Sequence, residues 1–253
     1  MIASGFDAIV PLEASAYQMI AETGFDNKIL PWRILSSSPA SQFIDINENA
    51  AHITIQKGLG ADKSYWDLQF RYRYLSFKEG HEYKVSFKAK AKRNGMELLS
   101  RITDASGSEP YFVLDGKDNT MKMGAAMGGV WDQPVKLKTE YQEFSGTFIP
   151  TRDISGVEWT FFYAEDHNGY GGNAQSGDEI WLDEMSIEDV TDPESGNVVE
   201  YDYGIRNRQS GSLKNNYISV NQIGYYPELA KIAVLSDDAG DWLSYTGEIM
   251  LTE

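Results

Sequence analysis

The chain has 253 residues, of which 42% are hydrophobic, and carries a formal net charge of −16. That apolar content supports a packed core, and the length allows one to two domains. The acidic surplus excludes nucleic acid and anionic membrane surfaces as partners, because both demand basic patches. The absence of cysteine removes disulfides and thiolate–metal chemistry. No apolar run approaches the roughly 18 residues of a membrane span. The residues after Met1 lack a signal-peptide pattern, which suits an excised internal segment and a cytosolic protein equally.

In chain order, the first expected element is a short helix over Ala14–Glu22 (ASAYQMIAE). Period-two alternation then takes over at Phe43–Ile46, His52–Ile55, Tyr83–Ala89 and Trp181–Ile187. Such alternation marks antiparallel strands with one face on a core and one in water. Turns containing glycine separate the runs, as at Gly58, Gly80, Gly95 and Gly107. The segment Met121–Gly129, rich in Met and Gly, reads as a mobile loop. The expectation is an all-β sandwich of about ten strands, jelly-roll-like, over residues 5–192. Residues 193–216 lose the alternation and have linker composition. Residues 217–253 open with strand-like runs around Ile218 and Ile232–Leu235, yet a sandwich needs about 100 residues to close, so this reads as a truncated second sandwich.

Strand parity sorts several side chains. In Val157–Tyr163, Val157, Trp159, Phe161 and Tyr163 share a core face, leaving Glu158, Thr160 and Phe162 opposite. In Trp66–Arg73, Leu68, Phe70 and Tyr72 are core, and Asp67, Gln69 and Arg71 face away. Arg101 falls opposite Leu98, Ser100 and Ile102. A strand face of Asp, Gln and Arg beside aromatics at strand ends (Trp66, Tyr111 and Trp131) is the chemistry of a sugar groove. Pyranose C–H faces stack on aromatic rings, and hydroxyl rims need donors and acceptors together. An ordinary solvated strand face accounts for the same pattern equally well.

No paired carboxylates in an apolar pocket, no nucleophile triad and no phosphate-binding glycine loop are legible, and His52, His81 and His167 are scattered. The stretch Glu165–Gly172 reads as a flexible loop, and no catalytic residue is assigned.

Three segments, GFDNK…PW at Gly24–Trp32, YWDLQFRYRYLSFKEGHEYKVSFKAKA at Tyr65–Ala91 and EPYFVL at Glu109–Leu114, together with IWLDEMSIED at Ile180–Asp189, resemble family 4 carbohydrate-binding modules. The resemblance implies a jelly roll with an open cleft for single glucan or xylan chains. It implies stacking by Trp66 and Tyr111, with Trp131 a looser match, and groove roles for Gln69 and Arg101; Phe162 stands where some members have a polar residue. It also implies one structural calcium held by Asp26 and Asp183, completed by carbonyls near Asn47–Ala51. The wording VNQIGYYP at Val220–Pro227 resembles the immunoglobulin-like domain preceding the catalytic domain of family 9 glycoside hydrolases, chiefly cellulases. Together these lead to the expectation of a secreted, monomeric, non-catalytic module binding β-1,4-glucan by way of Trp66, Asp67, Gln69, Arg71, Arg101, Tyr111, Trp131, Glu158 and Phe162, covalently linked to such an enzyme. The alternatives are a sandwich that packs on the catalytic domain without gripping sugar, and a xylan binder.

Overall fold

The structure, a computed structural model, describes residues 17–20, 24–26, 29 and 31–192, and two short strands at 218–219 and 234–235. The linker and most of the 217–253 segment lie outside the described residues. Among the described residues there is no α-helix, and so none long and apolar enough to cross a membrane.

Two antiparallel sheets face one another. The first orders β11 (Gln142–Phe148), β6 (Tyr83–Ala91), β13 (Glu179–Asp189), β4 (Ala50–Lys57) and β3 (Ser41–Asn47), with β1 (Tyr17–Gln18) added to β13. The second orders β2 (Arg33–Ser36), β5 (Leu68–Phe77), β12 (Ile154–Phe162), β7 (Met96–Thr103), β8 (Pro110–Asp115) and β9 (Thr120–Met123), with β10 (Val135–Leu137) added to β7. At the C-terminal side Ile218–Ser219 (β14) pairs antiparallel with Val234–Leu235 (β15).

The alternation read from the sequence sets what lies between the sheets. Phe70, Tyr72, Trp159, Phe161, Ile102 and Phe112 from the second sheet meet Ile53, Val85, Phe87, Phe144, Leu182 and Ile187 from the first, all fully buried. Trp32 sits at the centre, stacked on Phe70 at 4.9 Å and packed against Tyr72 at 5.0 Å and Trp159 at 5.6 Å. Burial of rings this large supplies much of the driving force for closing the sandwich. Two of the core's polar groups are paired, Trp159 Nε1 donating to Ser100 Oγ and Tyr163 Oη to Gln42, whose amide donates to the Leu35 and Gln69 carbonyls. Trp32 Nε1, by contrast, is buried without a hydrogen-bond partner among the described residues. The sheets approach closely where Gly146 meets β9; a Cβ there would lie 2.1 Å from the Met121 carbonyl oxygen.

Two sequence expectations are corrected. Within the expected helix at Ala14–Glu22, Tyr17–Gln18 instead pairs with Glu188 and Asp189 as a strand, and residues 14–16, 21 and 22 lie outside the described residues. The Gln18 side chain explains the choice: it accepts from Ile187 N–H and donates to Ser186 Oγ, bonds that a helix would forfeit. The segment Met121–Gly129, expected to be a loop, carries regular structure instead. It comprises β9 and a 3₁₀ turn at Ala125–Met127, with Met121 and Met127 buried in the core.

The sheet ends are fixed by charge. Asp189, fully buried, accepts from His81 Nδ1 at 3.0 Å and from the Thr191 and Asp192 amides, each at 3.0 Å. Burial alone would raise its pKa, but these donors hold it below the ordinary 3.8. Glu179 is likewise held below 4.5, chiefly by Lys92 and then by His52. A lowered folded-state pKa means stability that is complete above the ordinary carboxylate range and lost as pH falls through it. The melting temperature should therefore be flat from neutrality to about pH 5 and drop below about pH 4. Asp189→Asn should lower it at neutral pH and shrink the acid-induced drop. A melting temperature unchanged down to about pH 3 would refute this assignment.

Candidate functional site

The outer face of the second sheet carries the site. The registers align its side chains in rows. Arg33 opposes Arg71, Arg71 opposes Thr160, Thr160 opposes Arg101 and Arg101 opposes Val113, one row from β2 to β8. The neighbouring row runs Leu35, Gln69, Phe162, Leu99. At about 4.8 Å per strand the longer row spans roughly 19 Å. Above these rows lies a groove formed by two adjoining cavities of about 390 and 570 Å³, which share Tyr65, Trp66, Arg101, Gly107 and Ser108.

Its walls come from loops held by named bonds. Tyr65 and Trp66 belong to a 3₁₀ turn, Tyr65–Asp67, that precedes β5. Tyr65 is buried and touches three rings edge-on, Trp66 at 5.0 Å, Phe162 at 5.4 Å and Tyr170 at 6.0 Å. Trp66 Nε1 donates to Asp62 at 3.1 Å, fixing the indole, which remains 37% exposed. Arg101 is buried beneath. It donates through Nη2 to Tyr65 Oη at 2.6 Å and to Asp132 at 2.7 Å, and through Nη1 to the Gly107 carbonyl at 2.9 Å. Burial works against its charge, but the Asp132 carboxylate and Tyr65 outweigh that and hold its pKa above the ordinary value. Burial raises the Tyr65 pKa, so the phenol stays protonated. Asp132 in turn fixes the loop carrying Trp131, which is 59% exposed. Glu158 is buried against Arg73 Nε at 2.6 Å and Arg71 Nη1 at 3.4 Å. The opposite rim is the turn around Asp104, whose carboxylate accepts from Ser106 and from the Glu109 amide.

Of the residues singled out in the sequence, Trp66, Gln69, Arg71, Arg101, Trp131, Glu158 and Phe162 line this groove. Asp67 and Tyr111 do not, and both assignments are corrected. Asp67 lies in the 3₁₀ turn, where period-two parity does not apply; its carboxylate is fully buried and accepts from the Ser64 amide at 3.2 Å. Tyr111 is buried, its hydroxyl donates to Glu109 at 2.9 Å, and the Arg152 guanidinium covers its ring at 5.7 Å. Asp26 and Asp183 lie away from the groove, Asp183 on β13 of the other sheet.

Sequence reasoning missed Tyr65, Asp132 and Tyr170. The loop of Glu165–Gly172, expected to be flexible, is tied down. Asp166 accepts from the amides of Tyr170 at 2.7 Å and Gly171 at 3.2 Å, and Asn168 Nδ2 donates to Ser64 Oγ. Gly172, at φ +115°, is required: a Cβ there would stand 2.3 Å from the Ala164 carbonyl oxygen. The glycines around Tyr170 mark the segment as irregular, and nothing in their spacing identifies the acceptors that hold it.

This face is one on which an uncharged, ring-bearing ligand can stack while its edges meet polar groups. Comparison with known proteins agrees with such a role at the level of family. Residues 17–168 match the family model of the carbohydrate binding domain (CBM_4_9). No curated protein sequence matches the chain. Among solved structures, a CBM4 module is similar at 20% identity and TM-score 0.49, over 67% of this chain and 99% of that one. The N-terminal cellulose-binding domain of β-1,4-glucanase C from Cellulomonas fimi shows 15% identity and TM-score 0.42, over 67% and 95%. The CBM22-1 xylan-binding domain of Xyn10C from Paenibacillus barcinonensis shows 9% identity and TM-score 0.39, over 69% and 96%. With the family match covering residues 17–168 of 253, the chain belongs to the carbohydrate binding domain family.

Proposed function

We propose that this module binds single β-1,4-linked glucan chains along the groove without cleaving them. The observation that carries the reading is the convergence on one groove of Trp66 and Trp131, both solvent-exposed, with the polar strand residues Gln69, Arg71 and Thr160. The exposed indoles offer stacking faces, and the strand floor offers donors and acceptors between them. The groove carboxylates support binding over catalysis. Glu158 is paired with Arg71 and Arg73, Asp132 with Arg101, and Asp104 with its own turn. Glycosidic cleavage instead needs two carboxyl groups aimed at one bond. In a longer secreted enzyme resembling a family 9 cellulase, the module would raise the local concentration of catalytic domain on its substrate.

We also propose a structural calcium at Asp26 and Asp183. Burial, with the charges of Glu184 and Asp26 adding to it, holds the Asp183 carboxyl above its ordinary pKa, and a divalent cation would relieve that strain on the charged form. The two carboxylates fit as part of an oxygen shell only. Among the described residues no group of three or more His, Cys, Asp or Glu is arranged for a metal, so carbonyl and amide oxygens must supply the rest.

Calorimetric titration with cellohexaose, mixed-linkage glucan and xylohexaose tests the first reading. Binding should favour the glucans, and Trp66→Ala and Trp131→Ala should each weaken it by about 1–2 kcal/mol, roughly tenfold, without lowering the melting temperature. Absence of heat with every glycan sinks the reading. For the metal, calcium at a hundredfold excess over its Kd should add about 2.7 kcal/mol of stability. That gain should vanish in Asp183→Asn; melting curves indifferent to calcium and to chelator would dismiss the site.

A further inference from the structure

We propose that Tyr170 is a ligand-contacting residue, closing with Trp66 and Trp131 an aromatic enclosure that takes one uncharged pyranose at the tightest position of the groove. The inference rests on the glycan-binding reading and adds where the ligand is gripped most strongly. Tyr170 is 63% exposed, more than Trp131 or Trp66, and all three rings line the same cavity of about 570 Å³. That cavity continues directly into the polar part of the groove through Tyr65, Trp66 and Arg101.

Exposure alone would be an ordinary surface tyrosine; the construction of the loop argues otherwise. Asp166 holds the Tyr170 and Gly171 amides, Glu97 accepts from the Gly172 amide at 2.9 Å, and Tyr65 packs edge-on against the Tyr170 ring. A large apolar ring is thus held out over a cavity instead of folding onto the surface, and little ordering entropy is left to lose on binding. The floor below is Leu99, and the charged groups in the lining, Arg101 and Asp132, neutralise one another at 2.7 Å. Such a box offers ring faces and no net charge, which selects a neutral sugar over a uronate or a phosphate.

The consequence is an uneven groove: short ligands occupy the enclosure first, and longer ones extend from it over the polar rows. Titration of the full chain with cellotriose and cellohexaose tests this, using Tyr170→Ala and Tyr170→Phe, with melting temperatures alongside. Tyr170→Ala should weaken both ligands by the same factor, about tenfold, at unchanged melting temperature, whereas Tyr170→Phe, which keeps the ring, should bind within about twofold of the parent. If Tyr170→Ala binds both ligands as the parent does while Trp66→Ala does not, the enclosure is refuted and the glycan-binding reading stands. If Tyr170→Ala loses affinity together with melting temperature and Tyr170→Phe does not restore it, the residue is structural and the inference falls. If the parent binds neither ligand, both readings fall.

Discussion

The groove depends on one buried cation. Arg101 stands in the middle of the second sheet with its side chain on the outer face, covered by loops from three directions. Its bonds to Tyr65, Gly107 and Asp132 tie together the turn before β5, the rim after β7 and the loop of Trp131. Taking a guanidinium out of water is costly, and only a partner that is itself desolvated restores the balance. Asp132 fills that role, so the two are obligate to one another: removing either strands a buried charge, a penalty of about 3–5 kcal/mol. Arg101 is therefore a positioning residue. Its charge is spent on organising aromatic walls, and the groove above it is electrically quiet.

The same economy appears at Glu158, which sits between Arg71 and Arg73. A row of arginines across a sheet would repel itself without such a carboxylate. Buried counter-ions turn that row into a fixed polar floor. On it, Thr160 lies between Arg71 and Arg101 in register, and Gln69 and Phe162 lie side by side in the next row. In the proposed reading, that floor would set specificity and the loop aromatics affinity. A groove fixed before its ligand arrives loses less entropy on binding, and the bonds that join these loops to one another fix it in that way.

How much of this is legible in the sequence follows from where period two holds. It holds along β7, along β5 as far as Arg73 and along β12 from Val157 onward, so the outward positions of Gln69, Arg71, Arg101, Glu158 and Phe162 and the inward positions of Phe70, Trp159 and Phe161 can be read directly. It breaks at Tyr74 and around Gly156, both at positive φ. It fails one turn earlier at Asp67, where a 3₁₀ turn redirects the carboxylate inward to cap Ser64. It fails at Tyr111 because the pairing of β7 and β8 shifts between Ile102 and Thr103, and Arg152 arrives from a distant loop to cover the ring. Tyr170 and Asp132 sit in loops without periodicity, and their roles arise from contacts with residues far away in sequence, Tyr65 for Tyr170 and Arg101 for Asp132. Composition marked those segments as irregular, but irregular segments here are held by side-chain acceptors, which spacing alone does not reveal.

The central claim is that ligand enters over the outer face of the second sheet and stacks on its exposed rings. Indole N–H resonances test it most directly, since the described tryptophans divide cleanly: Trp66 and Trp131 on the groove, Trp32 and Trp159 fully buried, and Trp181 on the opposite sheet. Titrating the chain with cellohexaose, the account predicts progressive, saturable shifts of the Trp66 and Trp131 signals while those of Trp32, Trp159 and Trp181 stay in place. Saturable shifts confined to Trp181, or none at Trp66 and Trp131 under conditions where binding heat is measured, would contradict it.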